Sequence, residues 1–137
     1  MIIRNVAILI LHYKGKLLLQ KRSITAKRFP NTWGFFGGGA EEGESARDAL
    51  EREIKEEVGL KLKEPQFLAT YPYTLQECAE IGKIFTFAQK FCGSKLSLNE
   101  GQEMKWLYPE EALTLNMHQI YRKILKDIIQ NHSFVLS

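Results

Sequence analysis

The sequence predicts an α/β layered domain around a mixed β-sheet, and three observations predict it. Extended runs rich in β-branched and aromatic residues are interspersed with segments of helical period, the pattern of helices layered on a sheet. The length, 137 residues, fits one domain spanning residues 1–137. An apolar share of 45% against 26% charged residues supports a real core.

The elements follow in chain order. Residues 4–13 and 16–21 (KLLLQK) read as strands joined at Lys14-Gly15, a hairpin turn signal. A polar, basic loop covers 22–32, and Lys21 at its edge, Lys27 and Arg28 read as solvated charges. WGFF is a short extended piece leading into Gly37, Gly38 and Gly39. Residues 45–58 carry the strongest helix signal, with Ser45 and Asp48 as a capping box and Gly59 as the stop. Residues 62–71 and 81–91 read as strands, followed by a turn at Gly93 and a strand over 104–108. A short helix over 109–113 and an amphipathic helix over 117–130 end the chain.

Charge and cysteine usage exclude several classes. A net charge of +3 is too mild for a protein that coats duplex nucleic acid, yet does not repel a phosphate-bearing small molecule. Cys78 and Cys92 have neither metal-ligand spacing nor the density of a disulfide scaffold, so a cytoplasmic location is expected. The apolar run at 6–11 ends at His12 without a small-residue cleavage site. It is also far shorter than the roughly 20 residues a membrane span needs, so no membrane association is expected.

The helix over 45–58 has an unusual charge distribution. At about 100° per residue, Ala46, Ala49, Leu50 and Ile54 define an inward arc, while Arg47, Asp48, Glu51 and Lys55 point away. Glu53, Glu56 and Glu57 overlap the inward arc instead. Carboxylates turned toward the protein repel one another and are costly to bury. Either a hard divalent cation, Mg2+ or Mn2+, relieves them, or Arg52, Lys55 and other bases neutralise them as surface pairs. Three preceding glycines, which allow close backbone approach, favour the metal.

Gly38, Glu44 and the run REIKEEVGL from Arg52 to Leu60 resemble the Nudix box, Gly-x5-Glu-x7-Arg-Glu-U-x-Glu-Glu-x-Gly-U with U aliphatic, over residues 38–60. Every specified position matches, and the strand order extends the resemblance over nearly the whole chain. One departure is Phe35-Phe36, where many members have Phe-Pro; it leaves the path of the glycine loop open.

The resemblance implies a Nudix-type α/β/α sandwich and a hydrolase in which water attacks a phosphorus of a nucleotide's pyrophosphate. It implies Glu53, Glu56 and Glu57 as ligands of Mg2+ or Mn2+, with the Gly37 carbonyl as a further one. Arg52 would orient a box glutamate, and Glu44 would serve either the metal or the loop. The general base lies in the box or on a later loop, where Glu100 is the first candidate and Glu103 the second. Arg22 falls where members often carry a phosphate-contacting base, and Gly37 and Gly38 line the phosphate side.

Substrate signatures of the ADP-ribose, dinucleoside polyphosphate and coenzyme A subfamilies are not matched. Compact length and the ending ALTLNMHQIYRKIL resemble the MutT type, which releases pyrophosphate from nucleoside triphosphates, oxidised purines included. Asn116 stands where that type reads the base, and is equally suited to cap the last helix. Phe35, Trp33 and Tyr73 could each stack on a base, and aromatics beside strands are more often core. A nucleotide is thus the expected partner, with the protein a monomer or a homodimer. Other nucleoside diphosphate-linked compounds (a nucleotide sugar, a dinucleotide or capped RNA), or a non-catalytic nucleotide sensor, are the alternatives.

Overall fold

The computed structural model describes residues 1–93 and 95–137. In chain order the elements are β1 (Ile2–Tyr13), β2 (Lys16–Lys21), β3 (Trp33–Gly34), β4 (Phe36–Gly39), α1 (Ala46–Val58), β5 (Gln66–Leu75), β6 (Glu80–Lys90), β7 (Glu103–Leu107), α2 (Pro109–Ala112) and α3 (Gln119–Asn131).

The run NVAILIL places β1 at the centre. It lies parallel to β6 on one side and antiparallel to β4 and the end of β2 on the other. Lys14 and Gly15 both take positive φ, 49° and 80°, the turn whose twist suits a two-residue hairpin. β5 pairs antiparallel with β6 as an edge, and β2 carries β3 and β7. The sheet is therefore mixed.

Alternation along β1 creates two cores. Val6, Ile8 and Ile10 face Tyr121, Ile124, Leu125 and Ile128 of α3. Ala7, Leu9 and Leu11 face Leu50, Ile54 and Val58 of α1. A strand buried on both faces reads as continuous apolar sequence, and a helix over each face makes an α/β/α sandwich. Phe35 and Phe36 continue this division, one entering each core.

Among the boundaries that differ from the sequence reading, those of two elements have a packing cause. The strand expected over 62–71 begins at Gln66 and runs to Leu75. Leu60 and Leu62 instead fill the core under α1, which takes the chain inward before it can pair. Pro72 fits because β5 is an edge, where a missing N–H costs no second ladder. The last helix begins at Gln119, because Met117 is held by a bridge to Trp33. At the start of α1, the Ser45 side chain accepts from the Asp48 amide at 3.1 Å, the serine half of the expected box. None of the helices among the described residues is long and apolar enough to cross a membrane.

Candidate active site

The site begins where β4 meets α1. A Cβ on Gly37 would stand 2.0 Å from the Ala7 carbonyl oxygen, and one on Gly38 would stand 2.5 Å from the Glu53 carboxyl carbon. The two glycines therefore let the strand lie against β1 while a helix carboxylate rests on its outer face. From there the Gly37 amide donates to Glu57 Oε1 at 2.8 Å, and Gln20 Nε2 donates to Glu57 Oε2 at 3.1 Å.

Glu57 is only 3% exposed. Burial pushes its carboxyl up to about 8. The two donors lower it, and the charges of Glu53 and Glu100 push it further up. The box arginine does not relieve this charge, because it is engaged elsewhere. Arg52 donates Nε and Nη2 to the two oxygens of Glu44 at 2.8 and 2.9 Å, Nη1 to Glu53 at 2.9 Å, and Nη2 to the Gly39 carbonyl at 3.2 Å. Glu44 also accepts from the Glu41 amide, and these bonds hold its carboxyl at about 2. The structure thus gives Glu44 to Arg52 and to the loop. Burial raises Glu53 above the ordinary carboxylate range despite its bond to Arg52.

The loop before β7 closes one side. The amides of Ser97 and Asn99 donate to the carbonyls of Val58 and Glu57, and the Asn99 side chain donates to the Glu56 carbonyl. These bonds satisfy the carbonyls at the C-terminal end of α1. At the other end of the loop, the Gln102 side chain donates to the Arg22 carbonyl. Glu100 is held between them, at a cavity of about 510 Å³ that it shares with Glu53, Glu57, Gly37, Gly38 and Arg22.

Arg4, Lys27, Arg28, Tyr73 and Glu80 line the same cavity. Glu80 is fully buried, yet its carboxyl lies below the ordinary value. Burial pushes it up, and its partners overcome that effect. Arg28 donates Nε and Nη2 to Oε1 at 3.0 and 2.6 Å, Tyr73 donates its hydroxyl to Oε2 at 2.7 Å, and Arg4 Nη1 lies 3.7 Å away. Val6, Ile84, Phe29 and Tyr121 supply apolar wall.

The expected residues therefore divide. Arg22, Gly37, Gly38, Glu53, Glu57 and Glu100 come together at the cavity, with Arg52 beside them. Glu56 is half exposed, 3.6 Å from Arg52 Nη1 and outside the cavity lining. Glu103 pairs with Lys105 on β7. Phe35 is a core residue packed edge-on to Tyr121, so it offers no stacking face. Asn116 is exposed and outside the lining, with its backbone carbonyl accepting from the Trp33 amide. His118, rather than Asn116, caps α3, through Nδ1. Arg28, read as a solvated charge, is instead bonded to a buried acid. Gln20 carried one usable signal, a polar residue inside the apolar run LLLQK; Glu80 and Arg4 carried none, and Tyr73 stood out only as an aromatic that could stack on a base.

A divalent cation suits the carboxylate end. Glu57 is a buried acid whose donors do not keep it ionised at neutral pH, so a cation can take the place of a proton. Among the described residues, no group of three or more His, Cys, Asp or Glu side chains is arranged to hold a metal ion by itself. The acids present would therefore hold a divalent cation only together with water or substrate oxygens.

Comparison with known proteins places this geometry among relatives. A family model described as a NUDIX domain matches residues 1–128. The chain is 29% identical over 133 residues to a nucleoside triphosphatase NudI of Escherichia coli, covering 90% of this chain and 94% of that one. It is 26% identical to an RNA pyrophosphohydrolase of Teredinibacter turnerae, covering 97% and 88%. The crystal structure of a MutT protein from Methanosarcina mazei superposes with a TM-score of 0.83 at 20% identity, covering 96% of each chain.

Proposed function

The chain belongs to the NUDIX family and is a hydrolase, and from that premise we propose that it cleaves a nucleoside triphosphate to a monophosphate and pyrophosphate with Mg2+ or Mn2+. The observation that carries this reading is the buried Glu57, which has no basic partner among the described residues, at one end of a cavity whose other end is basic. Glu53 and Glu57 would hold the metal from α1, with Glu56 and the Gly37 carbonyl completing its surroundings. When bound, the metal supplies neutralising charge on the pyrophosphate oxygens and a more acidic water.

The protein groups supply position. Arg52, fixed by Glu44, holds the Glu53 carboxylate in one orientation, so no reorganisation is needed when substrate arrives. Glu57 is fixed by the Gly37 amide and Gln20. Glu100, exposed on the loop opposite, is the general base that takes a proton from the attacking water. Arg22 meets the phosphates from the end of β2. The apolar wall of Val6, Ile84 and Tyr121 receives the nucleoside.

The test is a panel assay with Mg2+ over ordinary and oxidised nucleoside triphosphates, ADP-ribose, nucleotide sugars and dinucleoside polyphosphates. Pyrophosphate release from triphosphates is the expected result. Cleavage of the linked diphosphates alone would replace the substrate, and tight binding without turnover would make the protein a sensor.

A further inference from the structure

Resting on that reading, we propose that the Arg28–Glu80 end of the cavity is a second anion subsite, which holds a phosphate carried by the nucleoside away from the pyrophosphate. Charge is the first argument. Arg4, Lys27 and Arg28 line this end, and Glu80 is the one acid there among the described residues. A neutral base would supply acceptors but leave this excess positive charge uncompensated. A phosphate supplies both, and the planar guanidinium fork suits it.

The construction of the loop is the second argument. Arg28 spends Nε and Nη2 on Glu80, which leaves Nη1 without a protein acceptor among the described residues. Its backbone carbonyl accepts from Arg22 Nε at 2.8 Å. The next residue, Phe29, sits at φ 51° and packs on His118 at 4.2 Å and edge-on to Tyr121 at 5.1 Å; Asn31 follows at φ 56°. Strained backbone persists only where its surroundings over-determine it. A solvated loop charge needs neither the strain nor a carboxylate that is fully buried.

Spacing is the third. Glu80 pairs with Ile2 and Gly37 with Ile8, so the backbone positions that carry the two ends lie about 20 Å apart along β1 at the usual rise of a strand. Side chains lean inward from both, and the Arg4 guanidinium lies against Gly39 between them. At the backbone, the two ends are farther apart than one pyrophosphate spans. The added phosphate is either a monoester on the ribose or the diester to a following nucleotide.

Binding to the metal-free protein separates these cases. Adenosine 3′,5′-bisphosphate, the dinucleotide pApA and adenosine 5′-monophosphate are titrated by calorimetry, with the guanosine and cytidine sets alongside. One charge-assisted contact predicts that the added phosphate tightens Kd by about tenfold or more. Preference for the bisphosphate identifies the monoester as the source, and preference for pApA the diester. Arg28→Met should bring the ratio near one, and Arg28→Lys should restore part of it. Lys27→Ala, an exposed change that does not threaten folding, should lower the ratio less. Equal affinities with and without the added phosphate, or a ratio unmoved by Arg28→Met, would overturn the subsite. Triphosphate hydrolysis is measured in parallel. Turnover without a binding gain removes the subsite alone, and a binding gain without turnover removes the parent reading alone.

Discussion

Two glutamates buried in the wall of one cavity shift in opposite directions. Glu57, 3% exposed, is pushed up to about 8; Glu80, fully buried, is held below the ordinary value. Burial acts on both, so burial does not decide the outcome. Partners do. Glu80 has a bonded arginine, a second arginine near it and a tyrosine hydroxyl, whereas Glu57 has two neutral donors and two acidic neighbours. One carboxylate is complete within the protein and fixes its surroundings. The other is incomplete, which suits a group that waits for a ligand.

The largest test of this contrast removes the incomplete charge. Glu57→Gln keeps the shape and an acceptor for the Gly37 amide. Turnover should fall by about a hundredfold to a thousandfold, the usual cost of losing one preorganised electrostatic element. Circular dichroism should show the fold unchanged, and near-normal turnover would remove Glu57 from the metal site.

Stability against pH sharpens the same point. An acid whose folded value is raised keeps its proton in the native state after the unfolded chain has lost it. Metal-free stability should therefore fall as pH rises from about 4.5 toward 8, and level off above that. His12 and His118 are lowered by burial and act in the opposite sense below about 6.5, so the clean window is pH 7 to 8. The difference between wild type and Glu57→Gln in urea unfolding isolates the effect, on the order of a few kcal/mol in favour of the variant at pH 8. Addition of Mg2+ should recover wild type and not the variant. A pH-independent difference would mean that Glu57 is not raised.

Glu80→Gln should behave in the opposite way. Removing one partner of a buried pair leaves the other charge uncompensated, at a cost of about 3 kcal/mol. Urea unfolding should show that loss at pH 7, where Glu57→Gln shows none. If Glu80→Gln is as stable as wild type, the arginines are satisfied by water and the contrast between the two acids disappears.

The contrast also explains what the sequence could disclose. The carboxylate end lies on one helix and the glycines before it, so fixed spacing exposed Glu53, Glu57, Gly37 and Gly38 together. β1 was legible because both of its faces are apolar, and Lys14-Gly15 because its turn needs positive φ. The basic end is assembled from β1, a loop, β5 and β6, whose residues are distant in the chain and meet only through the register of the sheet. No local pattern joins Arg28 to Glu80 across that separation. The same cause misplaced the strand at 62–71, since Leu60 and Leu62 look β-like locally but are taken by the core under α1.

The smallest expected effect comes from a residue that local pattern favoured. Asn116 stands just before the last helix and offers a donor and an acceptor, which suited either a base or a cap. In the structure its side chain is exposed, His118 Nδ1 takes the cap, and the only bond Asn116 makes among the described residues is through its backbone carbonyl to Trp33. Truncation keeps that carbonyl. Asn116→Ala should therefore change stability by less than about 0.5 kcal/mol and leave kcat/KM for each triphosphate within about twofold. Loss of purine selectivity in that variant would require the 113–118 segment to swing its side chain toward the cavity when substrate binds. Arg122, which donates to the Leu113 and Leu115 carbonyls at 2.5 and 2.7 Å, would have to release the segment first. The paired variant Arg122→Ala distinguishes the cases: it should alter selectivity only if Asn116 moves.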